Sequence, residues 1–262
     1  MGKNTWVERL ADGILDLIYP PGLYCISCGK ITDDSRTYRL CNDCMAAMNW
    51  VTGRRCLKCG RPLTDNNPGT RCFRCSSALT SGRPPAFDTG FACTGYGAAE
   101  QSLIFSFKYG GRADIGDTLG EILYDRMLSE FEPDEIVGMY DIVVPIPTHR
   151  DKKLKRGFNH AALMAEGFAK RADLRCDSGM MIRTRATIPM KGLGPEARIE
   201  NIRGVFSVKS SRLSCLNGAR ILLIDDIFTT GATINEAASL LKENGAAQVD
   251  FLVFAAAGDM VI

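Results

Sequence analysis

The chain has 262 residues, 45% of them hydrophobic, with 32 Lys and Arg against 30 Asp and Glu for a formal charge of +2. That length accommodates one small module beside one α/β domain, and the composition is that of a soluble globular protein. No run is long and apolar enough to cross a bilayer, so no membrane insertion is expected, and the near-balanced charge gives no case of its own for a nucleic-acid partner.

Trp6, Leu10, Ile14 and Leu17 recur at helical spacing, which predicts a short amphipathic helix. Its polar face is acidic as well as basic, so it is expected to pack on the protein's own body rather than on a membrane. The apolar stretch around Ile14–Tyr19 is short and sits among Asp12 and Asp16, unlike an export signal, and the expected location is cytoplasmic. Eight of the 11 cysteines then form four Cys-x-x-Cys knuckles: Cys25/Cys28, Cys41/Cys44, Cys56/Cys59 and Cys72/Cys75. Two ligands separated by two residues can share one metal, and two knuckles complete a tetrahedral thiolate site. The same spacing separates the knuckles within each pair, so the expectation is two tandem zinc ribbons within residues 1–80, Cys25/Cys28/Cys41/Cys44 and Cys56/Cys59/Cys72/Cys75. A disulfide framework would need an oxidising compartment, and a redox role does not explain four knuckles in register. With zinc bound by four thiolates at each site, the net charge falls to about −2. Arg54, Arg55, Lys58, Arg61, Arg71 and Arg74 crowd the second ribbon against Asp65 alone, a weak electrostatic argument for nucleic acid. Only Trp50 and Phe73 lie nearby as stacking platforms. Cys93, Cys176 and Cys215 have no ligand spacing and read as buried structural thiols.

Ser76–Phe87, with Ser-Gly-Arg-Pro-Pro at its centre, reads as a linker to an α/β domain over residues 88–262. A hairpin-like segment over Thr89–Gly97 is expected to precede helices over Ala99–Tyr109 and Ala113–Ser129. Ile115, Leu119, Ile122, Leu123 and Met127 share one side of the second helix. Asp141–Pro147 predicts a strand stopped by its prolines. The loop behind it carries five cations and one acid over Arg150–Arg156, suited to a multiply charged anion or to solvent. Arg183, Arg185, Lys191, Arg198 and Arg203, in a loop-rich stretch, could line an anion groove or be a solvated face. His149 and His160, the only histidines, lack a spaced partner for zinc and read first as hydrogen-bonding or surface residues.

Residues 220–233, Arg-Ile-Leu-Leu-Ile-Asp-Asp-Ile-Phe-Thr-Thr-Gly-Ala-Thr, join an apolar strand to two carboxylates and a hydroxyl-rich turn. Ile221–Ile224 suits a strand buried on both faces of a parallel sheet, with Asp225 and Asp226 at the carboxyl edge where such sheets bind ligands. Thr229, Thr230, Gly231, Ala232 and Thr233 open a helix to about Asn244, whose N-terminal N–H groups and hydroxyls could receive a phosphate. Successive strand residues point to opposite faces, so one aspartate could reach ribose hydroxyls or a metal while the other supports it. A solvated Asp pair with an ordinary Thr cap would give the same elements. No P-loop occurs, and Gly192-Leu-Gly194-Pro-Glu-Ala197 mimics a dinucleotide fingerprint without a preceding apolar strand.

The Asp-Asp string with Thr-Thr-Gly-x-Thr resembles the phosphoribosyl pyrophosphate (PRPP) signature of type I phosphoribosyltransferases. Added to the four knuckles, Phe107-Lys-Tyr-Gly110, Val144-Pro-Ile-Pro147, Arg156-Gly-Phe-Asn159, Arg183-Thr-Arg-Ala-Thr187 and Glu196-Ala-Arg198…Asn201 make nearly the whole chain look like the ComF family, associated with DNA uptake in competent bacteria. His160 and Met190 depart from Gln residues common there, close to where an acceptor would sit. The resemblance implies a mostly parallel sheet flanked by helices, the type I phosphoribosyltransferase fold, behind a double zinc ribbon. It implies Thr229–Thr233 on the 5′-phosphate and Asp225 and Asp226 as the catalytic pair on the ribose hydroxyls. It further implies Thr148, His149 and Arg150 on the pyrophosphate, with Lys155 and Arg156 in a lid. Magnesium would accompany PRPP, and displacement at C1 would need little beyond positioning and charge stabilisation. Lys108 is left between a phosphate contact and an ion pair. The acceptor, an amine or base nitrogen, is not identified. The alternative is a non-catalytic PRPP sensor that binds single-stranded DNA or proteins of DNA uptake and recombination.

Overall fold

The computed structural model describes residues 23–32, 37–151, 154, 157–188 and 194–259. The expected N-terminal helix, Lys155, Arg156 and Met190 lie outside the described residues. Two compact units divide the chain, Met1–Ala47 and Met48–Ile262.

In the first unit a bridge between Tyr24 and Ile31 frames the first knuckle. Cys25 N–H donates to Lys30 O at 2.8 Å and Gly29 N–H to Cys25 O at 3.0 Å. Gly29 has φ 73°, a left-handed turn that glycine enters without a Cβ clash. A 3₁₀ turn, Thr37–Arg39, leads to the second knuckle and helix α1, Asn42–Ala47. Ile26, inside the first knuckle, and Leu40, just before the second, are buried.

The second unit begins with the same device. Arg55 bridges Pro62, Cys56 N–H donates to Arg61 O at 2.9 Å, and Gly60 turns at φ 71°. A Cβ on Gly60 would stand 2.4 Å from Gly90 O, so this knuckle lies directly on the sheet behind it. Helix α2, Phe73–Thr80, starts from Cys72, whose sulfur accepts the Cys75 N–H at 3.4 Å. The stretch read as a linker is thus helical as far as Thr80 and ends in the core at Phe87.

Behind it stands a four-stranded parallel sheet in the order β1 (Gly90–Gly95), β6 (Gln248–Ala256), β5 (Arg220–Phe228), β2 (Ile142–Pro145). Ile221–Ile224 and Phe251–Ala256 are fully buried, as strands covered on both faces must be. The expected Thr89–Gly97 hairpin is not formed: β1 is a single strand, and its partner β6 comes from the far end of the chain. Helices α3 (Ala98–Tyr109) and α4 (Ile115–Leu128) fall where the periodicity predicts, and all five apolar residues named on α4 are buried. A short helix α5, Pro133–Met139, precedes β2. Helix α6, His160–Arg171, crosses α4 so closely that a Cβ on Gly120 would lie 2.7 Å from the Gly167 backbone. A separate antiparallel pair, β3 (Met181–Arg183) and β4 (Phe206–Val208), brackets helix α7, Pro195–Ile202. Helix α8, Ala232–Glu243, returns from β5 to β6. Phe87, Phe228 and Phe251 meet with ring centroids 4.6–6.0 Å apart, joining the segment behind the second ribbon to the sheet. Among the described residues no helix is long and apolar enough to cross a membrane.

Candidate functional site

Each set of four cysteines converges. The sulfurs of Cys25, Cys28, Cys41 and Cys44 lie within 4.8 Å of one another, as do those of Cys56, Cys59, Cys72 and Cys75. A zinc ion with Zn–S bonds of about 2.3 Å requires tetrahedron edges of about 3.8 Å. Cys28–Cys41 and Cys59–Cys72 are both 3.7 Å apart, so both sets fit zinc. The second set is buried throughout, whereas Cys28 of the first is exposed. Of the other cysteines Cys93 is buried, while Cys176 and Cys215 are only half-buried.

Arg61, one of the cations counted on the second ribbon, is 2% exposed. Its Nε donates to Cys59 Sγ at 3.3 Å, Nη2 to Thr229 O at 2.9 Å and Nη1 to Gly258 O at 3.3 Å, and the guanidinium lies 5.1 Å from the Phe228 ring centre. Burial works against its charge, and the Cys59 and Cys72 sulfurs more than restore it. Thr229 opens the hydroxyl-rich turn, so one side chain ties a thiolate cluster to that turn. Asp259, also buried, accepts from Asn67 Nδ2 at 2.7 Å and from the Phe73 N–H at 3.0 Å, a second tie to the ribbon. Arg54, Arg55 and Lys58 are likewise bonded within the chain, to Gly69 O, Glu130 and Phe87 O.

β5 runs past the acid pair to Phe228. Asp225 is half-buried and its Oδ1 accepts the Asp226 N–H at 2.9 Å. Burial and the neighbouring Asp226 push the Asp225 carboxyl up to about 7. Asp226 is buried and ion-paired with Lys108 from the last turn of α3. Burial alone would raise its carboxyl; the Lys108 charge and hydrogen bond prevail and hold it below the usual range. Adjacent carboxylates thus sit in different electrostatic states.

After Phe228 the chain turns at Gly231, φ 84°, into α8. The Ala232 N–H donates to Thr230 Oγ1 at 3.4 Å, and Arg198 donates to Thr229 Oγ1 at 3.5 Å. Residues 227–234 with Arg198 enclose a cleft of about 30 Å³ at the helix N-terminus. Alongside lies a cavity of about 170 Å³ lined by Lys108, Thr148, Arg183, Asp225, Asp226 and Thr233. Thr148 donates to Asn159 Oδ1 at 2.9 Å, and Asn159 Nδ2 donates to Ile146 O at 3.3 Å, so the start of α6 fixes the loop after β2. Arg150 lines an adjoining cavity of about 440 Å³ that shares Thr148, Asn159 and Arg183. His149 Nδ1 instead accepts the Asp151 N–H at 3.3 Å. His160 is a core residue: its Nε2 lies 3.1 Å from Phe107 O, which can only accept, and its ring meets Phe107 edge-on at 4.7 Å.

Sequence reasoning treated Arg61 only as one of a basic crowd, gave Asn159 no role beyond its place in a motif and did not find Asp259. Arg61 immediately follows Cys59-Gly60, where the first ribbon has Lys30, and that position beside a knuckle was the available signal. Arg183 belongs to the cavity, donating to Thr187 Oγ1 at 2.6 Å.

A family model described as a double zinc ribbon domain matches residues 14–77, and one described as a phosphoribosyl transferase domain matches residues 162–260. The DNA utilization protein YhgH of Escherichia coli O6:H1 is 28% identical over 200 residues, covering 74% of this chain and 80% of that protein. Competence protein ComFC of Bacillus subtilis is 27% identical over 241 residues, covering 86% of this chain and 91% of that one. Among solved structures, the allosteric regulatory enzyme of purine biosynthesis is 20% identical with a TM-score of 0.37, over 57% of this chain and 29% of that chain.

Proposed function

We propose that this chain is a protein of the ComF type, a double zinc ribbon joined to a domain of the type I phosphoribosyltransferase fold, which binds PRPP with magnesium and acts in DNA uptake or utilization. The observation that carries this reading is the 170 Å³ cavity, where Asp225, Asp226 and Thr233 face Thr148 beside a helix N-terminus ringed by hydroxyls. In this reading the N–H groups and hydroxyls of Thr229–Thr233 hold the 5′-phosphate at the positive end of α8. Asp225 and Asp226 accept the ribose hydroxyls, and Lys108 keeps Asp226 ionised. Thr148, His149 and Arg150, with Lys155 and Arg156, receive the pyrophosphate. A divalent ion in the cavity would relieve the crowding of the adjacent Asp225 and Asp226 carboxyls that line it. Magnesium, when bound, supplies charge neutralisation for the pyrophosphate. Transfer breaks the bond from C1 to the pyrophosphate oxygen and forms one from C1 to an acceptor nitrogen. Thiols that hold zinc must stay reduced, which argues for the cytoplasm.

A second reading rests on the relatives' names, which speak of DNA utilization and competence rather than of transfer. In it the cavity senses PRPP without turnover, and the protein engages single-stranded DNA or a protein of that apparatus. Pyrophosphate release with a panel of amines and nucleobases separates the two. Binding itself is tested by calorimetric titration of PRPP with and without magnesium. The wild type is expected to bind only with magnesium, and an Asp225→Asn/Asp226→Asn variant at least tenfold more weakly. A wild type that does not bind PRPP overturns both readings.

A further inference from the structure

The phosphate turn borders a second, larger space. A cavity of about 590 Å³ opens between α2 of the second ribbon, α7 and the first turn of α8. Thr230, Gly231 and Ala232 line both this cavity and the small phosphate cleft, so an occupant of one adjoins an occupant of the other. Its volume is that of a small-molecule site, and its walls mix apolar side chains with polar and charged ones. Phe228 lies at its base, while Phe73 and Ile199 are 40% and 50% exposed at its rim.

The charges in the lining favour an anion. Among the described residues of the lining, Arg61, Arg74 and Arg83 contribute three cations, and Glu236, the one carboxylate among them, accepts the Gly204 N–H. Arg61 is held by Cys59 and Thr229 against the thiolate cluster, whose Cys75 also lines the cavity, which leaves Arg74 and Arg83 as the cations for an anion. Arg74 is half-buried beside the positive charges of Arg61 and Arg198. Like charges gathered beside a helix N-terminus are relieved by a bound anion. An aromatic ring between Phe73 and Phe228 would gain burial and edge or face contacts.

We propose that this cavity takes the base of a nucleoside 5′-phosphate whose phosphate sits on Thr229–Thr233, so that nucleotide and PRPP exclude each other. The exclusion rests on reading that turn as the PRPP 5′-phosphate site. The same chemistry is offered by a free mononucleotide and by a 5′-phosphorylated strand end. In either case base and phosphate straddle Gly231.

The full zinc-loaded chain is titrated with AMP, dTMP and inorganic phosphate, alone and against PRPP. The nucleotides are expected to bind at least tenfold more tightly than phosphate and to be displaced by PRPP. Ala78→Trp, which fills the cavity from α2, should cost them at least tenfold with PRPP affinity unchanged. Arg74→Glu on the rim should weaken them without touching the core. Nucleotides that bind no better than phosphate, or equally well to both variants, overturn the proposal. Tetrathymidylate with and without a 5′-phosphate assigns the source. Tighter binding of the phosphorylated strand than of dTMP points to strand ends and the reverse to the free nucleotide, and both support the site. PRPP binding without nucleotide binding sinks this proposal alone, and nucleotide binding without PRPP binding sinks the earlier reading.

Discussion

Lys108 and Asp226 form an ion pair whose side chains are 22% and 11% exposed, with Asp225 next along the strand. Removing one member of a buried pair leaves an uncompensated charge, at a cost of about 3 kcal/mol or more. Lys108→Met is therefore expected to lower unfolding stability by about 3 kcal/mol, read from the urea midpoint at an unchanged slope. The Lys108→Met/Asp226→Asn double variant should recover much of that loss. Strictly additive losses in the cycle would show that the pair contributes nothing. Asp225, Asp226 and the Thr turn could be picked out in the sequence because they are contiguous, the pair on a nine-residue strand and the turn directly after it. The role of Lys108 was not legible, because its partner arrives from a distant segment through the packing of α3 against the sheet.

Among elements, the turn from β5 into α8 is fixed from two sides. Gly231 at φ 84° allows the reversal, and a Cβ there would lie 2.9 Å from the Phe228 ring. Gly231→Ala should cost about 1–2 kcal/mol for the left-handed backbone, and PRPP affinity should fall with it, measured by calorimetry. From the other side Arg61 holds Thr229 O. Arg61→Ala is expected to weaken PRPP binding about tenfold, on the order of the 1.4 kcal/mol of one charge-assisted hydrogen bond. Zinc content should stay at two per chain by elemental analysis, and unchanged PRPP affinity would make the Arg61 tie purely structural. Strong periodicity made α3 and α4 readable, and an apolar run stopped by prolines made β2 readable. The hairpin expectation failed at β1 because strand partners in a parallel sheet are set by crossovers, which local residues do not record. Helices α5 and α7 are only seven and eight residues long, too short for periodicity to stand out.

At the scale of the whole molecule the two cysteine clusters sit in different compact units, and sequence spacing alone made them look equivalent. The repeat was legible because both knuckles share Cys-x-x-Cys-Gly with a cation next in the chain. The difference lies in that cation's partners: Lys30 pairs with Asp43 at the surface, whereas Arg61 is buried against Thr229 and Gly258. A structural zinc contributes roughly 10–16 kcal/mol in small ribbons, as much as the entire stability of a typical domain. The buried second site therefore belongs to the unit that carries the acidic cavity, and the first site belongs to the other unit. Cys28→Ser should lose one zinc equivalent while PRPP affinity and the main thermal transition persist. Cys59→Ser should lose one zinc equivalent and also the main transition, because Arg61 then loses its sulfur partner and Gly60 its fixed place on Gly90. Under a competing chelator the wild type should release its zinc in two phases, the first from the cluster with the exposed Cys28. PRPP bound at Thr229–Thr233 should slow only the second phase. Equal slowing of both phases, or of neither, would sever the second cluster from the Thr229–Thr233 turn.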